Sequence, residues 1–147
     1  MLRPVDQMDT RFLRDMLRHA YHWRLGDPDL PVYRYVKNWG RRGDAGVIAS
    51  AGPNAYGAAW YRLFPASAPG FGFVDEETPE LTIAVVPSRR GKGAGKELLE
   101  ALLARARESG YAAVSLSAAK EQVPYYERFS FETVRESEHA VTMLARL

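Results

Sequence analysis

The sequence predicts a mixed α/β domain built on a central, largely antiparallel sheet with helices packed against it. Two β-type runs, Gly46 to Ser50 and Tyr56 to Phe64, are joined by the turn residues Gly52-Pro53-Asn54, a combination that fits a hairpin. A continuous apolar run, Leu81 to Val86, has the character of a buried strand and passes through a glycine-rich turn into a segment with helical periodicity. Two further β-type runs, Phe131 to Val134 and Ala140 to Leu144, close the chain.

The other elements follow in order. Thr10 to Ala20 places Leu13, Met16, Leu17 and Ala20 on one helical face behind Asp9-Thr10, residues suited to an N-cap. A weak strand at Leu2 to Val5 precedes it. Gly26-Asp27-Pro28-Asp29 reads as a turn, and Pro31 to Trp39 as a short helix opened by its proline. The stretch from Pro65 to Pro79, rich in proline, glycine and acids, suits an ordered surface loop. Gly95 to Ser109 aligns Leu98, Leu99, Leu102, Leu103 and Ala106, and Gly110 fits the position just past a helix end. Ala112 to Leu116 is another apolar strand, and Pro124 opens a short helix reaching Phe129.

A chain of 147 residues with 46% hydrophobic and 12% aromatic content can fill one core, so a single domain over residues 1–147 is expected. Cysteine is absent, which excludes a disulfide framework, a thiolate nucleophile and cysteine-ligated zinc, and which fits a cytoplasmic setting. No stretch approaches the roughly 20 apolar residues of a membrane span, and the start lacks a signal-peptide run. A net charge of +2 without long basic runs gives no reason to expect a nucleic-acid partner.

The most informative stretch is Arg90-Gly91-Lys92-Gly93-Ala94-Gly95-Lys96, between the strand and the helix. Glycines there permit positive φ and close ligand approach, and a helix start concentrates unpaired N–H groups and partial positive charge. With Arg89, Arg90, Lys92 and Lys96 alongside, this is a site for a phosphate-bearing anion. The Walker spacing fails, because Arg90 stands where its first glycine belongs and Glu97 where its hydroxyl belongs. The dinucleotide spacing fails at Lys96. The pattern (Gln or Arg)-x-x-Gly-x-(Gly or Ala) is met by Arg90, Gly93 and Gly95.

That pattern, the preceding strand with Pro87, the following Leu98-Leu99 pair, and the later Tyr125-Tyr126-Glu127-Arg128-Phe129-Ser130-Phe131 segment resemble the GNAT superfamily of N-acetyltransferases. The likeness covers residues 80 to 134. It implies the GNAT acyl-CoA N-acyltransferase fold and direct transfer of an acetyl group from acetyl-CoA to a primary amine. The acceptor would be a small molecule or peptide, and no metal is required. A homodimer fits the family, though no readable apolar stripe here supports one. The resemblance further implies that Arg90, Gly91, Lys92, Gly93, Ala94, Gly95 and Lys96 hold the pyrophosphate. The strand would splay from its neighbour so that main-chain groups of Ala84, Val85 and Val86 meet the pantetheine and thioester.

For the chemistry, Tyr126 matches the family tyrosine that protonates the leaving thiolate, with Tyr125 facing elsewhere. Glu80, opening the strand, occupies the place of the carboxylate that deprotonates the amine through water, with Asp75, Glu76 and Glu77 as rivals. Ser130 replaces a customary glycine and Ala119 a customary polar residue, departures that motivate an alternative, a non-catalytic acyl-CoA-binding module. His19 and His22 lack a patterned third metal ligand, and His139 reads as a strand-edge residue. Trp23, Tyr33, Tyr35, Trp39, Trp60 and Tyr61 read as core aromatics, some of them lining the acceptor pocket.

Overall fold

A computed structural model describes residues 1–21, 23 and 32–147. Its elements are β1 (Leu2–Pro4), α1 (Thr10–Ala20), β2 (Ala45–Ala51), β3 (Asn54–Arg62), β4 (Glu80–Val85), α2 (Ala94–Glu108), β5 (Ala113–Ala118), α3 (Val123–Glu127), β6 (Glu132–Glu136) and β7 (Val141–Arg146). Among the described residues the strands form one seven-stranded sheet in the order β1-β2-β3-β4-β5-β7-β6. Every neighbouring pair is antiparallel except β4 and β5. This is the mixed, mostly antiparallel architecture expected.

Alternation along the strands builds two cores, one on each face of the sheet. Ile48, Ala58, Trp60 and Ala84 point to one face, where Leu13, Met16 and Leu17 of α1 cover them together with Tyr35 and Val36. Ala49, Ala59, Tyr61 and Leu81 point to the other, under Leu98, Leu99, Leu102, Leu103 and Ala106 of α2. The apolar positions that gave each helix its period are thus the ones that are buried. Helix α2 ends in a Schellman motif: Gly110 takes φ 84°, its N–H donates to the Arg107 carbonyl, and the Tyr111 N–H reaches back to Ala106.

Three local expectations are sharpened. Asp9 is the N-cap of α1, but its side chain makes no cap bond to that helix. A 3-10 turn, Gln7–Asp9, leads into the helix, with the Asp6 side chain accepting from Met8 N–H at 2.7 Å and Asp9 accepting from Asp6 N–H at 2.9 Å. Arg3 grips the same Asp9 through two bonds of 2.7 and 2.8 Å, tying β1 to the helix start. The hairpin turn is tighter than expected, since Ala51 already pairs with Asn54 and β3 begins there.

The short helix expected from Pro31 to Trp39 shrinks to one 3-10 turn, Val32–Tyr35. The reason is a buried cation. The Arg62 guanidinium is fully buried; it donates to the carbonyls of Arg34 at 2.9 Å and Lys37 at 2.6 Å, which a continuing helix would have given to its own N–H groups. Arg62 also makes a two-pronged ion pair with Asp44, at 2.9 and 2.7 Å, and lies over the Trp39 ring. Asp44 in turn accepts from the N–H groups of Gly40 and Arg41, both at 2.9 Å. Pro31, the turn Gly26 to Asp29 and His22 lie outside the described residues.

Candidate functional site

Strands β4 and β5 run side by side in parallel but share a single paired position, Glu80 opposite Ser115, with Ser115 N–H donating to the Pro79 carbonyl at 3.0 Å. Beyond that point they part. The wedge is a cleft of about 310 Å³ walled by Leu81, Thr82, Ile83, Ala84 and Val85 of β4 and by Leu116 and Ser117 of β5. His19, Ala20 and Tyr21 border it from the end of α1, Arg90 and Gly95 from the glycine loop, and Gln122, Tyr125 and Tyr126 from around α3.

Register decides which main-chain groups the wedge receives. Val86 N–H donates to Tyr56 of β3 at 2.8 Å, and Tyr56 and Val86 continue the register in which Gly57 faces Val85 and Ala58 faces Ala84. Hydrogen-bonded and non-hydrogen-bonded pairs alternate in an antiparallel ladder, so Ala84 and Val86 turn their N–H groups to β3 while Ile83 and Val85 turn theirs toward β5. Of the residues singled out from sequence, Val85 alone presents its main chain to the wedge. Ile83, which sequence reasoning missed, presents the other. The Val85 carbonyl already accepts from Arg90 Nε at 3.0 Å, which folds that arginine back along the strand end.

The glycine loop lies at the open end. Gly91 and Gly93 take φ 78° and 84°, and a Cβ built on either would meet nothing within 4 Å, so the cradle faces open space. Gly93 is the N-cap of α2 and supplies no side-chain acceptor, which leaves the first N–H groups of the helix, from Ala94 to Lys96, directed outward. Arg89, Arg90, Lys92 and Lys96 are exposed around it. Arg89 stacks on Tyr56 with its guanidinium carbon 4.8 Å from the ring centre, and Lys96 sits 3.9 Å from Glu100 one turn on. Deeper in, the Ser117 hydroxyl oxygen is buried without a protein partner. A cradle free of Cβ atoms, a helix start with unpaired donors and an orphaned hydroxyl on the wedge wall all fit an elongated ligand that ends in phosphates.

Tyr126 is 8% exposed on α3, its ring 5.9 Å from Phe131 and crossing that of Tyr125 at 81°. Burial pushes its hydroxyl well above the ordinary phenol range, with Tyr125 adding to the effect, so it stays protonated through neutral pH. Tyr125 also reaches the wall: its hydroxyl lies 3.4 Å from where a Gly95 Cβ would stand. Gln122, a second residue missed from sequence, accepts from Ala119 N–H at 3.0 Å, at the position where a polar side chain is missing. Ser130, standing where the family has glycine, takes φ 68°, a left-handed conformation. Ser130→Gly should therefore raise the unfolding free energy by about 1 kcal/mol, read from urea denaturation; an unchanged midpoint would show the strain relieved elsewhere.

Glu80, the carboxylate singled out from sequence, opens β4 and is buried. It is 1% exposed and is not among the described residues that line the wedge. One oxygen accepts from Gly72 N–H at 3.0 Å, and the other accepts a short hydrogen bond from the Tyr35 hydroxyl, which itself accepts from Phe71 N–H at 2.7 Å. The loop between β3 and β4 is thus folded down over β4, and a Cβ on Gly70 would stand 2.4 Å from Glu80 Oε1. Asp75, Glu76 and Glu77 line a separate cleft with Tyr111 at the far end of α2. Of the aromatics, Tyr35, Trp39, Trp60 and Tyr61 are buried, whereas Tyr33 is exposed. Tyr21, not singled out from sequence, borders the wedge together with Tyr125 and Tyr126, and its hydroxyl meets Thr82 Oγ1 at 3.2 Å. Among the described residues no three His, Asp or Glu side chains gather as a metal site, and no helix is long and apolar enough to cross a membrane.

The model of the Acetyltransferase (GNAT) family matches residues 10–131. Solved structures of similar fold include the ribosomal-protein-alanine N-acetyltransferase from Brucella melitensis, with a TM-score of 0.73 and 20% identity over 100% of this chain and 99% of that one. The structure of yncA from Salmonella typhimurium with its cofactor acetyl-CoA gives 0.73 and 18% over 100% and 93%. The paia N-acetyltransferase from Thermoplasma acidophilum in complex with coenzyme A gives 0.68 and 14% over 100% and 98%. At these identities the likeness to each is one of fold, and no curated protein sequence matches at a significant level. The family match spans the strand, the glycine loop, α2 and the tyrosine segment together, and the chain belongs to the GNAT family of acetyltransferases.

Proposed function

We propose that the protein transfers an acetyl group from acetyl-CoA to a primary amine by direct attack within the wedge between β4 and β5. The observation that carries this is the parting of the two strands after one paired position, beside a Cβ-free cradle at the start of α2. Two of the solved neighbours hold acetyl-CoA or coenzyme A, in keeping with a donor of that kind.

The N–H groups from Ala94 to Lys96, reinforced by Arg90, Lys92 and the glycine main chain, hold the pyrophosphate. Val85 and Ile83 offer main-chain donors to the pantetheine and thioester carbonyl, where an N–H stabilises the oxyanion as it forms. Ala84 contributes a small side chain to the wall, and Val86 anchors the strand end to β3. Tyr126 protonates the departing thiolate. Its buried phenol supplies a proton at neutral pH and is restored from solvent between turnovers. The acceptor gives one proton to solvent as it becomes the neutral amine and a second after attack, which passes through water to Glu80, since Glu80 is not among the described residues lining the wedge.

Calorimetry with acetyl-CoA and a thiol-release assay across an amine panel test this reading. Saturable binding together with coenzyme A release supports it; absence of binding ends it at the first step, and tight binding without transfer favours an acyl-CoA-binding module. Tyr126→Phe should lower kcat on the order of 100-fold while acetyl-CoA affinity stays within about twofold. An unchanged kcat would remove Tyr126 from the chemistry.

A further inference from the structure

Donor and acceptor of the proposed transfer need different ways into the wedge. Helix α2, with the glycine loop at its start, covers one face of the sheet and α1 covers the other, so a donor whose phosphates rest on that loop leaves the α1 side to the amine. The end of α1 borders the wedge through His19, Ala20 and Tyr21. The start of the same helix borders a second cleft, of about 320 Å³. Thr10 and Arg14 wall it from α1, and Tyr33, Val36, Lys37 and Asn38 from the turn that follows.

The lining of this cleft suits negative charge. Arg14 and Lys37 bring two cations to it, and no carboxylate is among the described residues that line it. Both side chains are exposed, and neither makes a hydrogen bond or an ion pair. Their neighbours differ: Arg34 donates to the Pro69 carbonyl and Arg62 is paired with Asp44. Tyr33, 61% exposed, adds an uncovered aromatic ring. Thr10, Arg14 and Arg18 recur at a spacing of four and share one flank of α1, so positive charge continues from the cleft toward the wedge. Along α1 the cations Arg11, Arg14 and Arg18 stand against a single acid, Asp15, while Asp9 just before the helix is held by Arg3.

We infer that the acceptor is an acidic peptide, whose terminal amine enters the wedge while a carboxylate side chain further along it lies in the cleft between Arg14 and Lys37. The inference rests on the proposed transfer to an amine. Ala20 follows Arg14 by six residues of helix, about 9 Å at 1.5 Å per residue. An extended chain covers that distance in roughly three residues, and side-chain reach at both ends places the acids at about the fourth to sixth positions of the peptide. A free amino acid is too short to bridge wedge and cleft. The planar fork of arginine takes a carboxylate through two bonds and lysine adds a point charge. Exposed pairs are weak one by one, so selectivity comes from several acids meeting Arg14, Arg18 and Lys37 together.

The test measures kcat/KM for thiol release from acetyl-CoA with alaninamide and with three hexapeptide amides that begin Ala-Gly-Ser and end in three glutamates, three glutamines or three arginines. In the wild type the glutamate peptide should lead the glutamine peptide on the order of 10-fold, through KM, and the arginine peptide by more; the lead should collapse in about 0.5 M salt. Arg14→Glu/Lys37→Glu should reverse the order and Arg14→Gln/Lys37→Gln should erase the lead, while both variants acetylate alaninamide, too short to reach the cleft, within about twofold of the wild type. If the charge-reversed protein melts early, the glutamine pair decides. Equal kcat/KM for the three peptides in a wild type that turns over, or a glutamate lead that survives in the variants, overturns the acidic-peptide reading alone. An equal loss on alaninamide and on the glutamate peptide overturns it as well, because the two cations would then act on the wedge. A wild type that binds acetyl-CoA but acetylates none of the four amines overturns the transfer reading and this inference with it.

Discussion

Arg62→Met is expected to melt about 10–15 °C below the wild type, a loss of roughly 3–5 kcal/mol. Methionine matches the apolar stem of the arginine and fills most of its volume, so the effect isolates the charge. Removing it leaves Asp44, whose side chain is 1% exposed, as a buried carboxylate held only by two N–H groups, and strips the carbonyls of Arg34 and Lys37 of their donor. A deficit below about 1 kcal/mol in urea denaturation would show that water reaches these groups and that the cluster is not sealed.

Gly93→Glu separates binding from folding in the opposite way. The space a Cβ would enter there is open, so the fold should bear the change at a cost of about 1–2 kcal/mol, set by its φ of 84°. The new carboxylate would stand at the helix start, where a pyrophosphate would be held. Repulsion and lost access should weaken acetyl-CoA on the order of 100-fold or more, measured by calorimetry on folded protein. Unchanged affinity would move the anion site away from this loop.

What the sequence made legible was whatever is written locally. The period of Leu98 to Ala106, the glycines at positive φ before it, the apolar run of β4 and the left-handed Ser130 are decided by residues within a turn or two of each other. What stayed hidden depends on partners far along the chain. Arg62 and Asp44 look like surface charges until a hairpin and a turn close around them. Glu80 at a strand start looks solvated because Tyr35 is 45 residues away and the loop that lays Gly72 on it has no periodic signal. Tyr21 stood outside the aromatics singled out because nothing local marks the end of α1 as lying beside β4. Which main-chain groups of β4 turn toward the wedge was equally out of reach, since only the pairing of β3 with β4 decides that Val85 and Ile83, and not Val86, face it.

The single paired position between β4 and β5 also makes the molecule mechanically divided. β1 to β4 form one hydrogen-bonded raft and β5, β7 and β6 another, with α2 laid across both. Such a seam is where a partial opening costs least, so amide exchange at Val85 and Ile83 should outpace that of their ladder-bonded neighbours in β3. A ligand seated in the gap and bonded to main chain on the β4 side would work as a missing strand, joining the rafts. It would slow exchange on both sides of the seam at once, far beyond the residues it touches.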